Sequence, residues 1–392
     1  MSSCTFATPR VGLLQTRRAP LSARSALSSS SSSLRAPSPS CRRLPRAGDY
    51  LDARARRVVA ASANGSCTRD LLVVGPGVLG SLVCQRWLSV SATDPRLSSA
   101  PGTQPPSLGF SVTPPASSTR RSDILVPVSV QKFPAASVVG QTNTDNSHDR
   151  LLSIGVFPRL KEKAGDERYP FVVFSAPPSG SEDYAAEVEA ALKFWDGDGA
   201  FVFTSSTAVY AGKDGEPCDE STPQFEIGES PRADRLLKAE AAVLAAGGSV
   251  VRLAGLYHSQ RGAHMYFMKT PSLASNADGL VNLIHYEDAA AACVDVLVTQ
   301  FEGGTEGGEI FLATDGVPVS RKDMVECCLE CDAYEGNMPE FTEEDGPLGK
   351  SMNNPKTREK LGWAPVHESF AEFVAAGAKD SFYPKRKKNP WT

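Results

Sequence analysis

The chain has 392 residues, 41% of them hydrophobic, with 41 basic and 45 acidic side chains, which is enough for one large domain or two small ones around a real core. The charge is unevenly spread: residues 1–60 carry eleven arginines against Asp49 and Asp52, which leaves 30 basic and 43 acidic residues in the remainder. An acidic body argues against a general nucleic-acid-binding surface, and no apolar run approaches the length of a bilayer span.

Residues 1–60 stand apart from the rest. They are rich in arginine and serine, poor in acids, and contain the run Ser28 to Ser33, the composition of an organelle transit peptide. Val58-Val59-Ala60-Ala61 resembles the small-residue processing site of plastid precursors, which favours the chloroplast stroma over the mitochondrion. The alternative is a disordered basic tail that binds an acidic partner.

Leu71-Leu72-Val73-Val74 reads as a buried strand, running into Gly75-Pro76-Gly77-Val78-Leu79-Gly80 and then a helix from Ser81. Strand, glycine turn and helix start form the layout of a dinucleotide-binding loop: Gly75 permits the turn, Gly77 lets the backbone approach a pyrophosphate, and Gly80 lets the helix close onto the strand. The helix N-terminus would present its unpaired N–H groups to the phosphates. From about Ser89 to Gln131 the chain is rich in Pro, Ser and Thr and reads as a disordered insertion. Excising it would restore a normal βαβ spacing. It is either a surface insertion, retained intron sequence included, or a functional lid.

The apolar runs that follow, Ser137–Gly140, Phe171–Ser175, Ala200–Thr204, Ser249–Leu253 and Ile310–Ala313, alternate with helical stretches at Tyr184–Leu192 and Ala233–Ala246. That alternation predicts a Rossmann-type, doubly wound α/β parallel sheet with a small C-terminal substrate lobe. The domain is expected over residues 68–375, followed by a basic tail at 376–392 that includes Lys385-Arg386-Lys387-Lys388. Nine cysteines in so long a chain do not form a disulfide framework. Cys327-Cys328-x-x-Cys331 has no second pair or nearby histidine to complete a metal site, so it reads as helix packing and no metal is expected.

Further segments carry a resemblance to a known family. Phe201-Val202-Phe203-Thr204-Ser205-Ser206-Thr207-Ala208-Val209-Tyr210 resembles the strand-and-serine segment of extended short-chain dehydrogenases/reductases. Val251-Arg252-Leu253-Ala254-Gly255-Leu256-Tyr257 is similar to their Arg-x-x-Gly-x-Tyr strand end, and Leu283-Ile284-His285-Tyr286-Glu287-Asp288-Ala289 to their Ile-His-Val-x-Asp-x-Ala turn. Lys350-Ser351-Met352-Asn353 and Leu361-Gly362-Trp363-Ala364-Pro365 resemble their closing motif. The shape is nearest the atypical, NAD-dependent epimerase/dehydratase-like group. The resemblance implies a bound NADP or NAD, a small-molecule substrate and no metal; a homodimer is compatible with it.

The family pairs a serine with Tyr-x-x-x-Lys on the next helix, where the tyrosine shuttles a proton. Here that helix reads Pro231-Arg232-Ala233-Asp234-Arg235-Leu236-Leu237-Lys238-Ala239-Glu240. Aligned on Glu240, Arg232 and Leu236 take the tyrosine and lysine places; slid by two, Asp234 and Lys238 do. Neither frame supplies a tyrosine. The resemblance leaves Ser206 in the catalytic serine place, and Tyr210 could replace the phenol if its ring turned into the cleft. His285 could act as a general base and Arg252 as a substrate clamp; the alternatives are that Ser206 satisfies backbone groups, that Tyr210 and His285 order their turns, and that Arg252 anchors a strand end.

Cofactor contacts are expected from Gly75, Pro76, Gly77, Val78, Leu79 and Gly80, from Gln141 and Thr142 after the second strand, and from Ala176, Pro177 and Ser205. An acid after the second strand would hold a ribose 2′-hydroxyl and favour NAD. Gly140-Gln141-Thr142-Asn143-Thr144 has none before Asp145, so NADP is preferred, although the segment has no arginine to clamp a 2′-phosphate. Two functions remain open: an NAD(P)-dependent oxidoreductase or epimerase/dehydratase relative acting on a small polar carbonyl or nucleotide-sugar-like substrate, and a non-catalytic NAD(P)-binding sensor or scaffold.

Overall fold

The computed structural model describes residues 69–93, 136–212, 214–305 and 307–381. The expected transit peptide, residues 94–131 of the expected insertion, and the tail from 382 lie outside the described residues.

β1 (Leu71–Val74) is wholly apolar and wholly buried, the pattern of a strand covered on both faces. Around it lie β2 (Val138–Thr142), β3 (Phe157–Leu160), β4 (Tyr169–Phe174), β5 (Trp195–Ser206), β6 (Ser249–Leu253) and β7 (Ile310–Ala313). They form one seven-stranded sheet in the order β7-β6-β5-β4-β1-β2-β3, with every adjacent pair parallel. The order reverses between β1 and β4, and the crevice beyond the carboxyl ends of these two strands is where a doubly wound sheet binds its ligands.

The helices divide between the two faces. On one side, α1 (Val78–Thr93) and α5 (Tyr286–Phe301) cover a core containing Leu71, Val73, Trp87, Phe171 and Phe311. On the other, α3 (Tyr184–Leu192) and α4 (Pro231–Ala245) cover Leu72, Phe174, Phe201 and Phe203. The short α2 (His148–Ser153) links β2 to β3. Ser230 caps α4 by accepting from Ala233 N, with Pro231 in its first turn.

Four differences from the sequence reading have physical causes. β3 was not expected, because Phe-Pro-Arg-Leu has neither alternation nor an apolar run; as an edge strand it tolerates the proline. α1 runs on through Thr93, so its last turn lies within the stretch read as insertion. β5 begins at Trp195, and the expected Ala200–Thr204 is its apolar part. The packed chain does not end at 375: Ala378 joins a core cluster and Asp380 accepts from Ser259 N at 3.1 Å, so residues 376–381 belong to the domain.

The C-terminal part builds its own apolar cluster. Tyr257, Met268, Leu283, Met324, Val325, Cys328, Phe370 and Phe373 pack together, supplied in part by α6 (Arg321–Leu329) and α8 (Phe370–Ala375), with α7 (Pro355–Leu361) between them in the chain. Cys328 is fully buried here, with Cys327 and Cys331 against its edge as free thiols.

Candidate functional site

The site starts from the glycine turn. Gly75 has φ +80°, and a Cβ there would lie 2.6 Å from the Ala176 backbone. Glycine is required twice over at this position, by conformation and by the approach of the β4 turn. A Cβ on Gly80 would meet Ser175 Oγ at 2.6 Å and the Gly75 carbonyl at 2.8 Å, so α1 could not close onto the strand. Gly77 differs: a Cβ there would meet only Gly75 O, at 4.0 Å. Nothing in the fold requires Gly77 for packing, and its bare backbone borders open space.

That space is a cleft of about 1290 Å³ across the carboxyl ends of the strands. It brings together Gly75, Pro76, Gly77, Val78, Leu79, Gly80, Gln141, Thr142, Ala176, Pro177, Ser205 and Ser206. The turn is tied down by its neighbours: Ser175 Oγ donates to Gly75 O at 2.9 Å, Ser81 Oγ to Pro76 O at 3.0 Å, and Gly75 N to Gln141 O at 3.0 Å. Gln141 is nearly buried and accepts from Arg159 Nη2 at 2.7 Å.

Tyr210 is the sequence candidate that the structure places elsewhere. It is fully buried, outside the residues that line the cleft, with its ring 4.7 Å beneath the Arg252 guanidinium. Burial pushes its phenol up to about 12. The chain turns through Thr207–Val209 directly after β5, carrying the ring past the cleft and into the sheet edge. Tyr210 therefore packs and is corrected from candidate proton donor to structural residue.

Ser205 and Ser206 diverge because alternate residues of a strand face opposite ways. Ser205 Oγ donates to Glu240 Oε1 at 2.5 Å, and Glu240 is clasped by Arg252, with Nη2 to Oε2 at 2.6 Å. Glu240 and Arg252 are each 2% exposed, so Arg252 acts as the strand-end anchor. Ser206 is half-buried and its Oγ accepts from Ala208 N at 3.2 Å, capping the short turn. A hydroxyl that accepts in this way keeps its own proton to give to a ligand oxygen.

On α4 the cleft face carries Arg232, Arg235 and Leu236. Asp234 is turned away, accepting from Gly228 N at 3.0 Å, and Lys238 is exposed. The frame aligned on Glu240 is thus the one that meets the cleft, with arginine and leucine in the two places.

Among the lining residues that sequence reasoning missed are Arg150, Lys161, Arg261 and Tyr286. Arg150, on the six-residue α2, reaches back to the glycine turn, donating from Nη2 to Ser81 Oγ at 2.9 Å and Pro76 O at 3.2 Å. Nothing in its local sequence marks that reach. Glu187 is the sole carboxylate among the lining residues and is paired with Lys161 at 3.3 Å. The cleft is cationic on an otherwise acidic chain, which suits an anionic ligand.

His285 lies outside the cleft. Its Nδ1 accepts from Glu287 N at 3.3 Å and its Nε2 meets Asp380 at 3.0 Å. Ligand atoms of His285, Asp288 and His367 fall within 4.8 Å of one another, but they are already engaged. Asp288 accepts from Val366 N and His367 N, and His367 Nε2 meets Glu287 at 3.1 Å. This is a clasp between the start of α5 and the C-terminal segment.

No family model and no curated protein sequence matches the chain. Among solved structures, it is similar to a UDP-glucuronic acid 4-epimerase from Bacillus cereus in complex with NAD, at 14% identity and TM-score 0.54 over 79% of this chain and 97% of that one. It is similar to a dTDP-glucose 4,6-dehydratase from Bacillus anthracis in complex with NAD, at 15% identity and TM-score 0.52 over 78% and 95%. A conserved protein of unknown function from Silicibacter pomeroyi matches at 16% identity and TM-score 0.54 over 78% and 97%. The chain has the Rossmann-type fold of these proteins, the fold shared by NAD-dependent epimerases and dehydratases.

Proposed function

We propose that the cleft binds a nicotinamide dinucleotide and that the chain is an NAD(P)-dependent oxidoreductase or epimerase/dehydratase relative. Its substrate would be a small polar carbonyl or a nucleotide-sugar-like compound, and its compartment the chloroplast stroma. The observation that carries the reading is Gly77, whose missing side chain serves no packing purpose and leaves backbone open to the cleft at a helix start. The residues fit the group. Gly75–Gly80 would hold the pyrophosphate, Gln141 and Thr142 the adenosine ribose, and Ala176, Pro177 and Ser205 would line the path toward the nicotinamide, which when bound supplies or accepts a hydride. The epimerase and dehydratase just described are each in complex with NAD, which supports the same use of this cleft.

NADP is favoured over NAD. No carboxylate follows β2 before Asp145, and Arg150 lines the cleft on the helix after β2. A guanidinium in that position offers a 2′-phosphate the charge-assisted partner that a carboxylate would repel. Calorimetric titration of the full chain with NADP, NADPH, NAD and NADH tests both parts. Saturable binding of the NADP pair is expected, and binding of none of the four would refute the reading.

The second reading is a non-catalytic NAD(P)-binding sensor or scaffold. The cleft-facing Arg232 and Leu236 favour it, since neither can relay a proton as the Tyr-x-x-x-Lys pair would.

A further inference from the structure

We propose that Tyr286, which lines the cleft together with Arg261, is the proton donor of this cleft and gives its hydroxyl proton to the substrate oxygen. The proposal rests on the reading of the cleft as a nicotinamide site.

Two tyrosines line the cleft, Tyr184 and Tyr286. Tyr184 is committed elsewhere: its hydroxyl donates to Ala176 O at 2.7 Å and so fixes the turn after β4. Tyr286 is the first residue of α5, and its ring packs into the core that holds Leu253 and Ala254. The His258 ring lies 5.4 Å from it. Packing of this kind leaves the ring few rotamers, and Arg261 lines the same cleft.

Topology puts this phenol at the same end of the sheet as Ser206. Ser206 pairs with Leu253 across β5 and β6. The chain continues from β6 into Gly255–Tyr257, which pairs in parallel with Leu283–His285, and Tyr286 follows at once. Ser206, Leu253, Ala254 and Tyr286 thus stand at the same end of the sheet and line the same cleft. Neighbouring α4 contributes Arg232 and Leu236 there, so no phenol comes from that helix.

The chemistry suits the pair. Burial raises the Tyr286 phenol and Arg261 opposes the rise, so the phenol keeps its proton at neutral pH and its conjugate base is left beside a cation. In the transfer, the Tyr286 O–H bond breaks and a new O–H bond forms on the substrate oxygen. The bonding electron pair remains on the Tyr286 oxygen as a phenolate held by Arg261. Arg261 is exposed, and the phenolate regains a proton from water along that edge. In the reverse direction the same phenolate takes the proton of an alcohol.

Calorimetry with NADPH comes first, on the full-length wild type and on Tyr286→Phe, and both are expected to bind within threefold of each other. The wild type with 3-fluorotyrosine at position 286 should then show a resolved 19F shift on saturation with NADP, and a further displacement in Arg261→Gln. NADPH oxidation with a panel of small aldehydes and ketones should fall at least about 100-fold in Tyr286→Phe, with Arg261→Lys retaining more rate than Arg261→Gln. An unmoved fluorine resonance overturns the proposal, as does a Tyr286→Phe rate within threefold of wild type. A wild type that binds cofactor but turns over none of these carbonyls overturns it too. Absence of cofactor binding in the wild type is a separate result: it removes the nicotinamide reading, and the proposal with it.

Discussion

Glu240 on α4 and Arg252 on β6 form an ion pair sealed from water, each 2% exposed, with Nη2 to Oε2 at 2.6 Å and Nε to Oε1 at 3.1 Å. The same carboxylate receives the Ser205 hydroxyl, and the same guanidinium lies over the Tyr210 ring and donates to Gln224. One pair therefore fixes the end of β5, where Ser206 enters the cleft. Its geometry is bidentate, so the desolvation of both ions is largely offset.

Glu240→Ala strands Arg252 without its counter-charge. It should destabilise the fold by about 3–5 kcal/mol, read by urea unfolding. The double variant Glu240→Leu, Arg252→Met removes both charges and should cost much less than the single change. A single variant as stable as wild type would show that the pair does not hold this corner.

The two glycines of the turn should separate in experiment. Gly80→Ala presses a methyl against Ser175 Oγ and Gly75 O and should cost about 1–3 kcal/mol. Gly77→Ala meets nothing nearer than 4.0 Å, so its stability should stay within about 0.5 kcal/mol of wild type. Its nicotinamide dinucleotide affinity should nonetheless fall by about tenfold or more, since a methyl would occupy the approach to the backbone. Thermal melts paired with calorimetry check both, and unchanged affinity in Gly77→Ala would count against the pyrophosphate assignment.

Arg150→Ala should weaken NADP by about tenfold or more, the value of one charge-assisted hydrogen bond, and change NAD much less. Parallel titrations with the two cofactors measure the ratio. An equal loss for both would mean that Arg150 serves the turn, through Ser81 and Pro76, and not a 2′-phosphate.

Asp315 gives a pH prediction. It is 2% exposed, and burial pushes its carboxyl up to about 7, with Arg358 opposing. Between its ordinary value of 3.8 and about 7, the unfolded chain is ionised at this position while the folded chain retains the proton. The unfolded state therefore binds fewer protons, and stability from this group is present below 3.8 and lost as pH rises toward 7. Asp315→Asn removes the penalty and should raise stability at pH 8 by on the order of 2 kcal/mol, with little effect at pH 4. Melts at the two values check it; an equal change at both would assign the effect to packing.

The parts legible in sequence are those where chemistry is local. Leu71–Val74 could be read as a central strand because a strand covered on both faces must be apolar throughout. The glycine turn was visible because Gly75 and Gly80 have no substitute where backbone and side chain come within 3 Å. Ile310–Ala313 falls on β7 for a similar reason, and Ser249–Leu253 falls on β6 through its apolar Val250, Val251 and Leu253, although it also carries Ser249 and Arg252. The edge strand Phe157–Leu160 was not legible, since an edge needs neither alternation nor a donor at its proline.

The sequence by itself determined six of the seven strands of the sheet, the turn and the absence of a tyrosine from α4, because periodicity, glycine conformation and residue identity are properties of short segments. Only the tertiary structure decided that Arg232 and Leu236, not Asp234 and Lys238, face the cleft, that Tyr210 is buried under Arg252, and that Arg150, Arg261 and Tyr286 meet the cleft from segments far apart in the chain. Which way a side chain points at the end of a strand depends on what packs behind it. Here that is Glu240 and Arg252, whose pairing cannot be read from either residue's neighbours in sequence.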